Sequence, residues 1–233
     1  MEINTASGIL LHRCSIIFFC IRGLLGDSAS VLISLEIEAM KLINANGYGF
    51  VIVPVSTFEQ FRKEQKIKAK KMLTYFAKNN VMGDAFLQNG CMLPIAHINY
   101  GEYAIFIDAQ QSNIPQDWKI IKEWKSFNLC VDDDNSIWVV SLDNLEAWDV
   151  ADYQGKEFCQ QENIFDINDN LLERYNAIRY NVPKGKYEAT VIGLKKEGTK
   201  DAYGFSIVLT PTITFIQNAD ASETAFNDIF QTS

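Results

Sequence analysis

Apolar residues in this chain come in short β-prone runs, and only one stretch, residues 57–80, changes to helical spacing. The clearest run is 30–38, where Val31, Ile33, Leu35 and Ile37 alternate with Leu32, Ser34, Glu36 and Glu38. Successive side chains of a strand point to opposite faces, so this alternation predicts a half-buried strand. Residues 9–11, 15–21, 50–55, 85–87, 92–98, 103–109, 118–124, 127–131, 137–142 and 203–215 read as further strands, the last as one long strand or two short ones broken near Pro211. Fifteen Phe and nine Tyr strengthen this reading, because aromatic side chains suit a pleated, packed surface.

In residues 57–80, Phe58, Phe61, Ala69, Met72, Leu73 and Phe76 recur at helical intervals. Glu59 and Glu64 come early and lysines late, as the helix dipole favours, and Ser56 or Thr57 can cap the start. The expected fold class is therefore α+β and β-rich, with mostly antiparallel sheets arranged as a sandwich and one long amphipathic helix near residues 57–80. A chain of 233 residues, 48% hydrophobic, can bury one large core or two of about 100 residues each. Residues 110–116, with Ser112, Asn113 and Pro115, read as a linker. The expected organisation is a β-rich module with the helix at 1–125, then an antiparallel β module at 126–233 with an acidic insertion and a loosely held tail from 216.

Several chemistries lack their residues. The five cysteines, Cys14, Cys20, Cys91, Cys130 and Cys159, are odd in number and scattered in apolar runs, which argues against a disulfide framework and for a reducing, cytoplasmic setting. With no Cys-x-x-Cys pair and only His12 and His97, a Cys/His zinc site has no ligand set. The apolar stretch 8–26 contains His12, Arg13 and Arg22, which oppose a membrane span, and no small-residue cleavage pattern follows; it reads as buried strand, the alternative being an atypical leader. Asp166, Asn168 and Asn170 begin like a calcium loop, but Leu171 and Ala177 stand where that loop needs Gly and a bidentate Glu. The plainer reading is an Asx-rich turn capping a short helix at 170–175. His12 and Cys14 share a strand face inside an apolar run, so a hydrogen-bonded core histidine is favoured over a thiolate–imidazole pair. Phosphate-loop, nucleophile-elbow and zincin motifs do not occur. The expectation is no catalytic residue, no metal and no cofactor. The alternatives are a hydrolase whose carboxylates are brought together by the fold, and a homo-oligomeric structural protein.

Charge is unevenly spread. The net charge is −8, yet residues 57–80 hold seven bases (Arg62, Lys63, Lys66, Lys68, Lys70, Lys71, Lys78) and two acids, leaving fourteen bases and twenty-seven acids elsewhere. That surplus of acid opposes a nucleic-acid backbone. Residues 132–173 concentrate it: twelve acids and a single base, Lys156, with Trp138, Trp148, Tyr153, Phe158 and Phe165 interleaved. A one-signed field steers an oppositely charged protein, and aromatic side chains supply desolvated anchors. The candidate partner-binding residues are Asp132, Asp133, Asp134, Trp138, Asp143, Glu146, Trp148, Asp149, Asp152 and Tyr153. The expected partner is a basic protein, such as a toxin or nuclease; neither nucleic acid nor membrane is expected, and the sequence leaves the oligomeric state open.

Residues 177–182 and 186–193 flank Pro183-Lys184-Gly185, and the Pro and Gly chemistry predicts a hairpin there. The segment Tyr180-Asn181-Val182-Pro183-Lys184-Gly185-Lys186-Tyr187-Glu188-Ala189-Thr190 resembles a signature of small bacterial inhibitor families, the competence-associated nuclease inhibitors and the β-rich immunity proteins of polymorphic toxin systems. The resemblance spans residues 126–215. It implies a non-enzymatic, acidic, cytoplasmic bacterial protein that neutralises a cognate toxin, and it transfers no binding residue.

Overall fold

The rings of Phe50 and Phe205 meet edge-on with centroids 5.5 Å apart, and Tyr103 touches both. These residues lie on three strands of which the outer two share no hydrogen bond, so the sheet must curl until distant strands face each other. The computed structural model describes residues 42–108, 114–165, 171–199, 202–215 and 224–230, all within one unit, Ala39–Ser233.

Among the described residues the strands are β1 (Leu42–Asn44), β2 (Gly49–Val53), β3 (Leu93–Ala96), β4 (Glu102–Asp108), β5 (Trp118–Val131), β6 (Ser136–Ser141), β7 (Phe158–Phe165), β8 (Leu171–Asn181), β9 (Gly185–Lys196) and β10 (Tyr203–Thr212). They form one sheet in the order β3-β2-β6-β8-β1-β4-β10-β9-β5, with β7 paired to β8 off that path. The two ends of the path approach each other. Cys130 N–H on β5 donates to the Gly90 carbonyl just before β3 at 2.9 Å, and Asn128 Nδ2 donates to the Gln88 carbonyl at 3.2 Å. The result is a nearly closed, barrel-like mixed sheet.

This corrects the expected sandwich of mostly antiparallel sheets. β4 runs parallel to β10, from Tyr103 against Tyr203 to Asp108 against Val208, and β1 meets β8 in parallel. Alternation along a strand says which residues are buried, and it carries no information about a parallel partner so distant in sequence. Moreover β2 and β6 are buried at every position, so neither displays a polar face.

The long helix is also corrected. Residues 57–80 divide into α1 (Val55–Glu64), the first part of α3 (Asn80–Gln88), and α2 (Met72–Lys78) between them. Residues 65–71 are not helical: Lys66 adopts φ 53°, and the excursion sinks Ile67 into the core. Val55, Phe58 and Glu59 form the buried stripe of α1, and Phe58 meets Phe86 of α3 at 4.8 Å. Residues 85–87, expected as a strand, therefore belong to a helix, because three apolar residues satisfy either period. Residues 171–175, expected as part of a short helix, open β8 instead.

The hairpin expectation fails in a specific way. Its strands exist as β8 and β9, but β8 pairs with β6, β7 and β1 while β9 pairs with β10 and β5. The Pro-Lys-Gly turn thus hands the chain from one part of the sheet to another. Of the two readings of 203–215, the single long strand holds: β10 runs through Pro211, which sits in register with Tyr187. Position 125 falls within β5, both ends of which pair with β9. Ser126 there takes φ 73°, at the bulge between Trp124 and Phe127.

Two glycines permit close approaches. A Cβ on Gly49 would lie 2.4 Å from the Ile95 carbonyl oxygen, so only glycine lets β2 and β3 pair here. Gly90 has φ 67°, and a Cβ on it would meet Cys130 N at 2.8 Å, at the seam between the sheet ends. The expected strands at 9–11, 15–21 and 30–38, the reading of 8–26, most of the linker and the turn at 166–170 lie outside the described residues. So does the tail apart from 224–230, where a short 3-10 turn (Phe226–Phe230) buries Phe226 completely.

Candidate partner-binding surface

The seven acids proposed from the sequence stand on two turns, and the three aromatics lie beneath them. The first turn, residues 132–135, joins β5 to β6. Asn135 adopts φ 47°, and its N–H donates to the Asp132 carbonyl at 3.0 Å. It grips the Pro-Lys-Gly turn: Val182 N–H donates to the Asn135 carbonyl at 3.0 Å, and Lys184 N–H to Asn135 Oδ1 at 2.8 Å. Lys184 Nζ then reaches Asp133 Oδ1 at 2.6 Å and Asp132 Oδ1 at 3.0 Å. The acidic turn and the Pro183-Lys184-Gly185 turn are therefore direct neighbours. Asp134 accepts from the Ser136 hydroxyl at 3.0 Å.

The hydrogen bond from Lys184 holds the Asp132 carboxyl below the ordinary aspartate range, and the two aspartates hold the Lys184 ammonium above the usual lysine range. Because the folded state prefers ionised Asp132, this contact contributes fully above the ordinary aspartate pKa and fades as pH falls through the lowered value. In Lys184→Ala, an NMR titration of the Asp132 carboxyl carbon is expected to move up toward the ordinary range. An unchanged titration would remove Lys184 as the cause.

The second turn region comprises two 3-10 turns, Leu142–Ala147 and Val150–Asp152. Glu146 Oε1 accepts from Thr74 N–H at 2.7 Å and from its hydroxyl at 2.9 Å, placing a carboxylate at the N-terminal turn of α2, where its exposed N–H groups favour an anion. Asp149 accepts from Ala151 N–H at 3.1 Å and pairs with Lys70 at 3.1 Å; the backbone bond first, then Lys70, lower its carboxyl pKa. The Lys70 carbonyl in turn accepts from Trp148 N–H at 3.0 Å. The basic stretch and the acidic stretch, remote in sequence, thus meet in the fold. Asp143 and Asp152 are exposed, and partial desolvation pushes the Asp143 carboxyl upward.

Trp138, Trp148 and Tyr153 are buried and do not serve as surface anchors. Trp148 stacks on Tyr153 at 4.9 Å, Trp138 meets the same ring edge-on at 5.1 Å, and Phe58 packs on Trp148 at 4.6 Å. The Trp148 indole donates to Glu59 Oε1 at 2.6 Å, and Arg62 Nη1 reaches the same oxygen at 2.6 Å. Composition foretold neither this buried carboxylate nor the role of Lys184, since each depends on a residue more than fifty positions away.

Two clefts adjoin the acidic turn. One, of about 390 Å³, is lined by Asp134, Trp138, Tyr153, Lys156, Glu157 and Arg179, with Arg179 paired to Glu157 at 3.1 Å. The other, of about 350 Å³, is lined by Phe61, Cys91, Cys130, Asp132, Lys184 and Lys186 among others. Burial pushes the Cys91 thiol up to about 12 and raises Cys130 as well, so both are protonated at neutral pH. Among the described residues no group of three or more His, Cys, Asp or Glu could hold a metal ion, and no helix is long and apolar enough to cross a membrane.

Fold and site together define a nearly closed mixed β-barrel bearing an acidic, turn-built surface over an aromatic underlay. No protein-family model, curated protein or solved structure matches the chain.

Proposed function

We propose that this chain is a non-enzymatic binding protein, an immunity or toxin-inhibitor protein of the bacterial cytoplasm, whose acidic surface takes a basic protein partner. One observation supports this most: the acids of 132–134 and 143–152 stand on turns fixed by backbone hydrogen bonds and by the buried Trp138, Trp148 and Tyr153. Charges already held in place steer a basic partner and lose little freedom when it binds. In the clefts, Asp132 is tied to Lys184 and Glu157 to Arg179, so each of these carboxylates is held in an ion pair. Carboxylates held this way favour recognition over proton transfer, which calls for a carboxyl free to take up and release a proton.

Asp133 has 86% of its side chain exposed, and Asp152 is exposed as well, so charge at both can be reversed without opening the core. Against a basic bacterial toxin domain captured by this protein from a panel, Asp133→Lys with Asp152→Lys is expected to slow association about tenfold or more at low salt, while the thermal midpoint falls only slightly, through loss of the exposed Lys184 contact. Association kinetics unaffected by the reversal would sink the proposal.

A further inference from the structure

We propose that one end of the barrel, formed by loops 45–48, 97–101 and 142–147, is the docking face for a basic protein partner, with Tyr48 and Tyr100 as its aromatic anchors. The charge of the partner rests on the function proposed above; the location of the face rests on separate observations.

The three loops are contiguous. Gly49 pairs with Ala96, so the loops that adjoin that pair lie side by side. Ile98 N–H donates to the Tyr48 carbonyl at 3.2 Å, and Ala45 N–H to the Gly101 carbonyl at 2.8 Å. The third loop closes against Gly47, on which an added Cβ would lie 3.3 Å from Asp143 N and 3.7 Å from Asp143 Cβ.

At this end the aromatic side chains face water. Tyr48 is 67% exposed and Tyr100 62%, whereas the aromatics within the acidic stretch that pack beneath its turns are buried. Tyrosine is among the residues that dominate binding energy at protein interfaces, because it loses little side-chain freedom and presents an apolar body with a polar tip.

The backbone supplies an independent argument. Tyr48 holds φ 62°, directly after Gly47 at φ 71°, and His97 across the strand pair holds φ 60°. A bulky residue in the left-handed region costs about 1 kcal/mol or more, and glycine or asparagine would meet the same turn with less strain. An exposed tyrosine that adds little to the core and strains the backbone is retained at the expense of stability, which is the mark of a side chain used for contact outside the fold.

Charge settles the kind of partner. The three loops with the adjoining Glu102 contain the acids Glu102, Asp143 and Glu146, one histidine, and neither lysine nor arginine. A basic surface carrying apolar or aromatic groups complements this face, and an acidic one is repelled.

The test selects a phage-displayed random peptide library on the intact protein, then measures the affinity of the enriched synthetic peptides for wild type, Tyr48→Gly, Tyr100→Ser and Asp133→Lys. The expected peptides are rich in Lys, Arg and aromatic residues, and lose about tenfold or more in affinity for Tyr48→Gly and Tyr100→Ser and distinctly less for Asp133→Lys, whose charge acts on them only from a distance. Tyr48→Gly is also expected to melt at or above the wild-type temperature, which a structural role for Tyr48 would not allow. The proposal is overturned by a library that yields no binders, by peptides without basic character, by binding indifferent to both tyrosine variants, or by a clear fall in the melting temperature of Tyr48→Gly. Loss of binding in Asp133→Lys alone would support the acidic-surface function while overturning this docking face.

Discussion

Glu59→Ala is expected to remove about 3–5 kcal/mol of folding stability, because it strips the partner from a buried charge. Side-chain exposures of 9% for Glu59 and 18% for Arg62 put the pair largely out of water, so solvent cannot replace what is lost. Glu59 Oε1 serves two donors, Arg62 Nη1 and the Trp148 indole, both at 2.6 Å. Arg62 Nε already lacks an acceptor, so truncation leaves the guanidinium still further from satisfied. Against a total stability of about 5–15 kcal/mol, such a loss is a large fraction. Glu59→Gln retains an acceptor for the indole and is expected to fall between wild type and Ala. Urea unfolding followed by tryptophan fluorescence measures both, and a loss below about 1 kcal/mol for the Ala variant would mean the pair is solvated. The consequence reaches the acidic surface, since Trp148 lies between the two 3-10 turns, beside Asp149 and next to the turn that carries Asp143 and Glu146.

Phe226→Ala is expected to cost a similar amount, about 3–5 kcal/mol, by opening a cavity in the core. Phe226 is completely buried, its ring 5.0 Å from that of Trp124 and 6.0 Å from that of Phe127. One turn later Phe230 packs on Tyr203 at 4.8 Å and Tyr103 at 6.4 Å, and Asp228 pairs with Lys122. This short turn near the end of the chain is thus part of the packing of β4, β5 and β10. Hydrogen exchange at 224–230 is expected to accelerate in the variant more than at β2 or β6. Stability within about 1 kcal/mol of wild type would show that the segment adds nothing to the core.

The strands β4, β5, β9 and β10 were legible because their apolar and β-branched residues are many and their turns well marked. Their partners were not. The contact between β4 and β10 joins Tyr103 to Tyr203, and no local pattern encodes a parallel pairing over a hundred residues. The same limit misread the Pro-Lys-Gly turn, where Pro183 and Gly185 signal a reversal without naming which strands will pair. Residues 57–80 looked like one helix because Phe58, Phe61, Met72 and Phe76 keep helical phase across the non-helical break at 65–71.

The candidate site was legible as charge and illegible as geometry. Twelve acids in 132–173 are plain in the sequence, but that Lys184, Thr74 and Lys70 would engage several of them is a property of the fold. Trp138 sits in a strand buried throughout, and Trp148 follows a 3-10 turn whose apolar residues face inward. Both therefore became underlay rather than anchors. Tyr48, in the sequence Asn46-Gly47-Tyr48-Gly49, carries no local signal of a binding role, and its exposure and left-handed backbone emerge only in three dimensions.

The most direct test of the central claim titrates the activity of a panel of basic bacterial nuclease and toxin domains with the purified protein, at about 0.05 M and about 0.5 M salt. If the acidic surface takes a basic partner, inhibition reaches a stoichiometric end point at low salt and weakens steeply at high salt, where surface charges are screened beyond a few ångströms. Absence of inhibition, or inhibition of equal strength at both salt concentrations, would contradict the account.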